Sequence, residues 1–531
     1  MMLTTLWPLH TAKFEKKTRA RGTSWLIGKR SFVSVALAMA VASAYAEPVV
    51  GVAKLPKISV GDYHMLLAKT DGTVWSWGWD TWGQLGIGAG TTATPTQIPS
   101  LSGVVSVVAR NGFSAALKAD GTVWVWGEQG MMGPTDTSSK VPVQVAGLSN
   151  IIGIDAGWGS TAYAVNLTGN VYGWGRNSYG ELGSGSATPA KVTTPTLISG
   201  LSKIVDLRAA DTSVIALDSS GQVFQWANIN QPDPIAPVSG VSNAVAIGAD
   251  GVNNSNANFA VLSTGDVMSW GDTNSAVTRC GQPKQSGVTV FPPATLTGFA
   301  NIKSVSSGPD GEDVFLDAAG QAWTCGGSSS GQQGDGTTGG TSTGTKVGPL
   351  KVVQTVPFFS VAMGRSAAAI GLDGSVWTWG PQGSGVQGDG NLNASGATLS
   401  PKQISINAGD PSKVPPIFAG TQSVANSDGT TSLDAGVMFA PEHWSKTGQA
   451  YVVALLPNGQ LYFYTATGWK QYDPNVPFPA AYQGSLTGML PVSLGTANFG
   501  ALAGTQILVA YGIGSGAAAD SEMLSASRYK V

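Results

Sequence analysis

One spacing governs what this chain can fold into: a turn glycine followed, always five residues later, by a tryptophan or its replacement at the end of a strand-like run. The pairs are Gly72 and Trp77, Gly121 and Trp126, Gly169 and Trp174, Gly221 and Trp226, Gly265 and Trp270, Gly320 and Cys325, and Gly374 and Trp379. Successive copies lie 44 to 55 residues apart while the five-residue step never changes. Variation is therefore confined to the connections, as in a repeat array. Composition agrees, with 72 glycines in 531 residues and only 11% charged residues. That glycine share is about twice the usual one. It excludes a helical bundle, a coiled coil or an acidic disordered chain, and favours a turn-rich β protein.

Each copy reads as a hairpin. In Ser114-Ala115-Ala116-Leu117-Lys118-Ala119-Asp120-Gly121-Thr122-Val123-Trp124-Val125-Trp126-Gly127, two strand-like runs flank Asp-Gly, a pair that tolerates the positive φ angles of a tight turn. Side chains alternate along a strand, so Trp124 and Trp126 share a face. The inner member of that pair reads Trp75, Trp124, Tyr172, Phe224, Met268, Trp323 and Trp377 down the copies, and valine or alanine lines the other face. A strand apolar on both faces belongs to a sheet stacked between two others. An apolar run precedes each hairpin, and in most copies a proline-opened segment follows, with an apolar residue three positions later, as in Pro95 and Ile98 or Pro401 and Ile404. Proline has no amide to donate, so it suits a strand start or a sheet edge. Four short strands in about 50 residues, seven times over, predict an all-β, seven-bladed β-propeller of four-stranded blades. The linear β-solenoid has much shorter repeats.

The stretch Tyr63-His64-Met65-Leu66-Leu67-Ala68-Lys69-Thr70-Asp71-Gly72-Thr73-Val74-Trp75-Ser76-Trp77-Gly78, followed by Gly83-Gln84-Leu85-Gly86, resembles the repeat of the regulator of chromosome condensation family. The third copy agrees, with Gly180-Glu181-Leu182-Gly183 after its Trp174-Gly175 step. The resemblance runs from about residue 55 to 405 and implies a seven-bladed propeller. Blade four has Trp226-Ala227, blade five has Cys280-Gly281-Gln282 after a long insertion, and blade six replaces its tryptophan with Cys325. The resemblance implies no single activity. The fold hosts nucleotide exchange on a nuclear GTPase, ubiquitin-pathway scaffolding and, in secreted bacterial form, β-lactamase inhibition.

Residues 1–46 read as a signal peptide. A basic stretch ends at Lys29-Arg30, a short apolar run covers Phe32 to Val41, and Ala44-Tyr45-Ala46 offers a cleavage site before Glu47. That run is too short to span a bilayer, so no transmembrane segment is expected after cleavage. Lys29-Arg30-Ser31-Phe32-Val33 faintly echoes a twin-arginine signal, but with no cofactor motif general secretion is the expected route. The expected location is periplasmic, cell-surface or extracellular. Removing the leader leaves 22 basic against 30 acidic residues, net −8. A phosphate-backbone binder needs clustered Lys and Arg, so nucleic acid is not an expected partner.

Catalytic parts are scarce. Only His64 and His443 follow the leader, which excludes a multi-histidine metal site, and no nucleophile-elbow, phosphate-loop or paired-carboxylate signature is present. Gly334-Asp335-Gly336 and Gly388-Asp389-Gly390 each supply one carboxylate and read as turns rather than calcium loops. No catalytic residue, metal or cofactor is assigned. Cys280 and Cys325 sit in consecutive blades, and an oxidising compartment permits a disulfide closing a loop of about 45 residues. Two separate buried thiols are the other reading.

Aromatic and thioether side chains that the repeat does not need are better candidates. Trp79 and Trp82 follow the Trp-Gly step of blade one, Met131 and Met132 occupy the matching stretch of blade two, Trp158 precedes the hairpin of blade three, and Tyr179 follows it. Propeller loops emerge at the ends of the ring, so several of these can share a rim, and tryptophan and tyrosine dominate binding hot spots. Each can alternatively tuck against its own blade.

The sequence divides into residues 47–406 as propeller, 407–416 as linker and 417–531 as a small β-sandwich-like domain. The last holds strand candidates at Ala450–Leu456, Leu461–Thr465 and Thr505–Tyr511, a Pro457-Asn458-Gly459 turn and one short helix at Asp520–Ser527. An eighth blade is the alternative for this tail, because the step from Gly459 to Tyr464 mimics the blade register. The functional expectation is an exported noncatalytic scaffold that binds another protein through rim loops. The alternative is a hydrolase or lyase acting on polysaccharide or peptide at the central depression, where carboxylates from several blades could converge.

Overall fold

The hairpin chemistry sets the local structure first. In blade one, Lys69 N donates to Thr73 O and Gly72 N to Lys69 O, both at 2.9 Å. Asp71 Oδ1 accepts the Thr73 amide at 2.9 Å and its hydroxyl at 2.6 Å. Gly72 takes φ +79°, a left-handed conformation that glycine adopts without steric cost. Asp120 and Thr122 repeat the arrangement in blade two.

A computed structural model describes residues 55–409 apart from 129–136, 158–159, 211–212, 228–232, 251–254, 274–279, 281–289, 310, 327–329 and 339–345. Beyond these it describes 421–425, 431–438, 446–456, 460–465, 468–473, 476–485, 489–497, 506–525 and 529–530. Seven four-stranded antiparallel sheets follow one another, each with its strands in sequence order. Blade one comprises Lys57–Val60, His64–Ala68, Val74–Gly78 and Thr92–Gln97. Blade seven comprises Phe358–Met363, Ala367–Gly371, Ser375–Pro381 and Ala397–Asn407. Blade four has the shortest outer strand, Ala236–Pro237. The apolar residue three after each outer proline is buried, and most such residues bond back to the third strand, as Ile98 N does to Val74 O at 2.8 Å.

The apolar core lies between blades. Seven buried clusters span the seven interfaces, from blades one and two through to blades seven and one. Five of the repeated tryptophans fasten a seam by donating the indole N–H to the preceding blade. Trp126 reaches Gln84 O at 2.8 Å, Trp226 reaches Glu181 O at 2.7 Å and Trp379 reaches Gln332 O at 2.9 Å. Trp270 reaches the Gln225 side-chain oxygen at 2.7 Å. Trp77 closes the ring by bonding Val386 O of blade seven at 2.9 Å, 309 residues away. A buried indole N–H needs such a partner. The five-residue step thus sets an interblade fastener as well as a strand end.

Blade six is the exception. Cys325 stands in the tryptophan position and forms a disulfide with Cys280, which belongs to the connection after the third strand of blade five, with Cα atoms 5.1 Å apart. A covalent bond here joins the same pair of elements that the indole joins elsewhere. Phe315 stands two residues before its strand's end at a register where blade two has Ala116 and blade seven Ala369. It packs against Phe299, ring centres 4.5 Å apart, in the cluster that contains both cysteines. The missing indole volume is filled from the neighbouring strand.

Past the ring, Thr421–Ala425, Thr431–Met438 and Met489–Ala497 form a three-stranded sheet. A second sheet is centred on Thr447–Leu455, which pairs with Leu461–Thr465 and with Gln506–Ile513. The hairpin expected around Pro457-Asn458-Gly459 is present in its strands, while those three residues lie outside the described ones. This sheet does not follow the blade's strand order. The helix spans Ala517–Ser525, starting three residues earlier than expected. Asp520 ties it down, accepting from Tyr451 Oη at 2.8 Å and Phe478 N at 2.9 Å. No described helix is long and apolar enough to cross a membrane.

Candidate functional site

Antiparallel order sends the turn between the first and second strands, and the connection between the third and fourth, to one end of the ring. The Asp-Gly hairpins occupy the other end. Tyr63, Trp79, Trp82 and Tyr179 therefore all belong to the same end.

The third-to-fourth connections present their tips from a fixed base. In blade one, Asp80 Oδ1 accepts Leu85 N at 2.9 Å, Ser76 Oγ donates to Leu85 O at 2.7 Å, and Gln84 Oε1 accepts Trp82 N at 2.9 Å. Blade three repeats this with Asn177 Oδ1 accepting Leu182 N at 3.0 Å and Glu181 Oε2 accepting Tyr179 N at 2.8 Å. Gln84 and Glu181 are buried, and their carbonyls also receive the indoles of the next blades. Trp82 and Tyr179 thus hold the same tip position, immediately before Gly83 and Gly180. Blade six places Ser330 there, its amide bound by Gln332 Oε1 at 2.8 Å. In these three blades the tip residue varies while its amide is held in the same way, by the side chain two residues on.

Around blade one the aromatics gather. Tyr63 is 44% exposed and meets Trp79 edge to face, ring centres 5.9 Å apart. Arg365 of blade seven lies over the Tyr63 ring at 5.7 Å and pairs with Asp62 at 3.4 Å. Trp82 is 45% exposed and leans over the first turn of blade two. A Cβ on Gly112 would come within 2.7 Å of Trp82 Cδ1, so glycine makes room for the indole. Tyr179 stands apart on blade three, under the Arg176 guanidinium at 5.0 Å, and Arg176 is held by Glu181 at 2.7 Å. Large aromatic surfaces left open on a rigid base are what a hot spot requires. Tyr63 was visible in the repeat but not singled out, because nothing in the sequence tells that its turn is open. Met131 and Trp158 lie outside the described residues, as does His443.

His64 is part of the frame. Its Nε2 lies 2.9 Å from Ser114 Oγ of blade two, and that hydroxyl donates to Gln84 O at 2.7 Å. Burial lowers its pKa to about 3, so the ring is neutral. Asp335 and Asp389 cap their own turns through Thr337 N at 3.1 Å and Asn391 N at 3.2 Å. Among the described residues the one trio of possible metal ligands is Cys280, Asp313 and Cys325, and both sulfurs are taken up by the disulfide.

The first strands of all seven blades line a central cavity of about 350 Å³. Its carboxylates are Asp155 and Asp206, and each is bound to an arginine. Asp155 Oδ1 pairs with Arg110 at 3.3 Å while its Oδ2 accepts Ala209 N of blade four at 3.0 Å. Asp206 Oδ1 pairs with Arg208 and accepts Leu207 N at 3.0 Å. Burial raises the Asp206 carboxyl above its ordinary value, and the adjacent Arg208 opposes this.

The regulator of chromosome condensation (RCC1) repeat model matches residues 71–117 and 168–217, and a second RCC1 repeat model matches 57–84 and 151–181. The chain is an RCC1-repeat β-propeller. Prp20p from Saccharomyces cerevisiae, solved in a study of its binding to Gsp1p and histones, superposes with a TM-score of 0.54 at 20% identity. That alignment covers 68% of this chain and 91% of Prp20p. Yeast RCC1 (Prp20) with Kap60 bound gives 0.54 at 19% identity, covering 78% and 94%. At such identity the likeness concerns the fold. Human E3 ubiquitin-protein ligase HERC2 is 28% identical over 288 residues, which is 49% of this chain and 6% of HERC2. The Arabidopsis thaliana ultraviolet-B receptor UVR8 is 28% identical over 185 residues, 33% of this chain and 41% of the receptor. The RCC1-repeat chain therefore spans well under two thirds of these curated relatives.

Proposed function

We propose that this propeller is an exported, noncatalytic protein-binding scaffold whose contacts are made by the rim that carries Tyr63, Trp79 and Trp82, with Tyr179 as a flanking contact. The observation that carries the reading is the pair of half-open aromatic side chains, Tyr63 and Trp82, set on connections whose backbones are bonded into the blade frame. Binding energy is not lost to ordering when the base is already fixed. RCC1-repeat relatives are named for protein ligation and, in the solved Prp20 structures, for binding to protein partners. The noncatalytic part of the reading is supported by the channel carboxylates, each engaged by an arginine and a backbone amide. Export rests on the leader and its Ala44-Tyr45-Ala46 site, and on the oxidising conditions that a structural disulfide prefers. In the same reading, 47–406 is the binding propeller, 407–416 a linker and 417–531 a β-rich unit that aids attachment.

The test is capture of a partner from the periplasm and culture medium of the source, followed by Tyr63→Ser with Trp82→Ser. The double variant should lose at least about 2 kcal/mol of affinity, roughly thirtyfold, because hot-spot aromatics cost that much. Its thermal unfolding should stay close to that of the parent, since both side chains are about half exposed. Undiminished capture by a folded double variant would refute the assignment.

A further inference from the structure

The hairpin registers align the seven channel-lining strands, and one level of that alignment is polar in five blades, with Gly153 and Ala246 at the same register in blades three and five. Lys57, Ser106, Asp206, Ser304 and Ser360 pair with Ala68, Leu117, Leu217, Leu316 and Ile370. Each partner stands four residues before its hairpin glycine, so the five side chains belong to one ring. All five line the cavity. One residue towards the rim the same strands carry Ile58, Val107, Leu207, Val305 and Val361, which are wholly apolar. Those five lie in the interblade clusters, so channel-facing polar side chains alternate with core residues along each strand.

Asp206 is committed to Arg208. The Lys57 ammonium and the hydroxyls of Ser106, Ser304 and Ser360 make no hydrogen bond to any described residue, and Lys57 is open to the channel. Seven-blade packing does not need these donors, since the seams are closed by indoles, a disulfide and apolar clusters. The cavity lining carries four cations, Lys57, Arg110, Arg208 and Lys303, against the carboxylates of Asp155 and Asp206. Arg110 and Arg208 are each paired with one of those carboxylates, which leaves the Lys57 ammonium without a carboxylate of its own in that lining. Desolvation inside the ring lowers the Lys57 pKa and the Arg208 charge lowers it further, while Asp206 and Asp155 act to raise it. An anion at this level would offset both lowering effects. The volume, about 350 Å³, is within the range of small-molecule sites.

We propose that the central channel is a binding site for a small organic dianion, a phosphate monoester or a dicarboxylate, held by the Lys57 ammonium and the hydroxyls of Ser106, Ser304 and Ser360. The site is separate from the aromatic rim and makes no demand on the protein partner.

Thermal unfolding of the purified protein tests it, with inorganic phosphate or succinate titrated against chloride at constant ionic strength. A ligand that binds only the folded state raises the midpoint in a saturable way. The expected result is such a rise with at least one of the two, and the larger response identifies phosphate or dicarboxylate chemistry. Lys57→Met should keep close to the parental midpoint in chloride, because Lys57 makes no hydrogen bond or ion pair with a described residue, and should abolish the saturable rise. Ser360→Ala should weaken binding several-fold, since a neutral donor contributes less than a charged one. No saturable rise with either anion would overturn the proposal, as would equal rises in the parent and a folded Lys57→Met.

Discussion

Breaking the disulfide by Cys325→Ala probes the seam where the repeat departs from its own rule. Cys280 and Cys325 are 45 residues apart in sequence. In the loop-closure account a cross-link of that span removes about 4 kcal/mol of denatured-state freedom. The bond also fastens blade five to blade six in place of the indole. Its expected loss is therefore about 4 kcal/mol, larger than the loss for Trp126→Phe, which removes one N–H···O bond of 2.8 Å and part of a ring. Such a bond contributes about 1 kcal/mol, and the lost ring volume adds roughly another 1 to 2 kcal/mol. Urea unfolding followed by tryptophan fluorescence, with hydrogen exchange to locate the opening, gives both numbers. In Cys325→Ala, faster exchange should appear first in the second and third strands of blade six. Both sulfurs are buried, so a reductant should act on the native parent only as fast as the seam opens. A Cys325→Ala variant within about 0.5 kcal/mol of the parent, well inside the spread of neutral surface changes, would refute the claim that the disulfide replaces the indole.

Three other outcomes follow from the same geometry. His64 has a folded pKa of about 3 against an ordinary 6.5, so between those values the unfolded chain binds more protons and stability falls as the pH is lowered. Lowering the pH from 7 to 4 should remove about 3 kcal/mol through this group, and urea midpoints for His64→Gln should show a correspondingly shallower pH slope. Gly78 has φ +106°, and a Cβ there would strike the Tyr63 carbonyl oxygen. Gly78→Ala should cost roughly 2 to 4 kcal/mol in chemical unfolding; a loss under about 1 kcal/mol would count against the strain. Gly112→Ala should displace the Trp82 indole, which is open and can swing away, leaving the unfolding midpoint nearly unchanged while raising acrylamide quenching of that tryptophan and weakening partner capture.

The ring was legible in the sequence because its cues are local. An Asp-Gly turn, a five-residue step and a proline with an apolar residue three later all act within one blade, and the seven sheets follow them from Lys57 to Asn407. What links the blades was not legible. The acceptor of the Trp77 indole is Val386, and the acceptor of Trp126 is the carbonyl of Gln84, a residue whose family motif pointed only to a loop. Backbone carbonyls carry no sequence signature. Trp82 and Tyr179 were visible as aromatics outside the repeat, yet their equivalence as loop tips emerges only from the matched bonds of Gln84 and Glu181. Tyr63 was missed because its exposure depends on the neighbouring blade. The polar level of the channel was hidden for a similar reason: Lys57, Ser106, Ser304 and Ser360 are distant in sequence and become neighbours only when the ring closes.

The most direct test of the binding rim is site-specific photo-crosslinking in the presence of the captured partner. A benzophenone side chain is placed in turn at Trp82, at Tyr63 and at Thr122, whose hairpin is at the opposite end of the ring. The account predicts covalent partner adducts from positions 82 and 63 and none from 122. Adducts from 122 with none from 82 and 63 would contradict it.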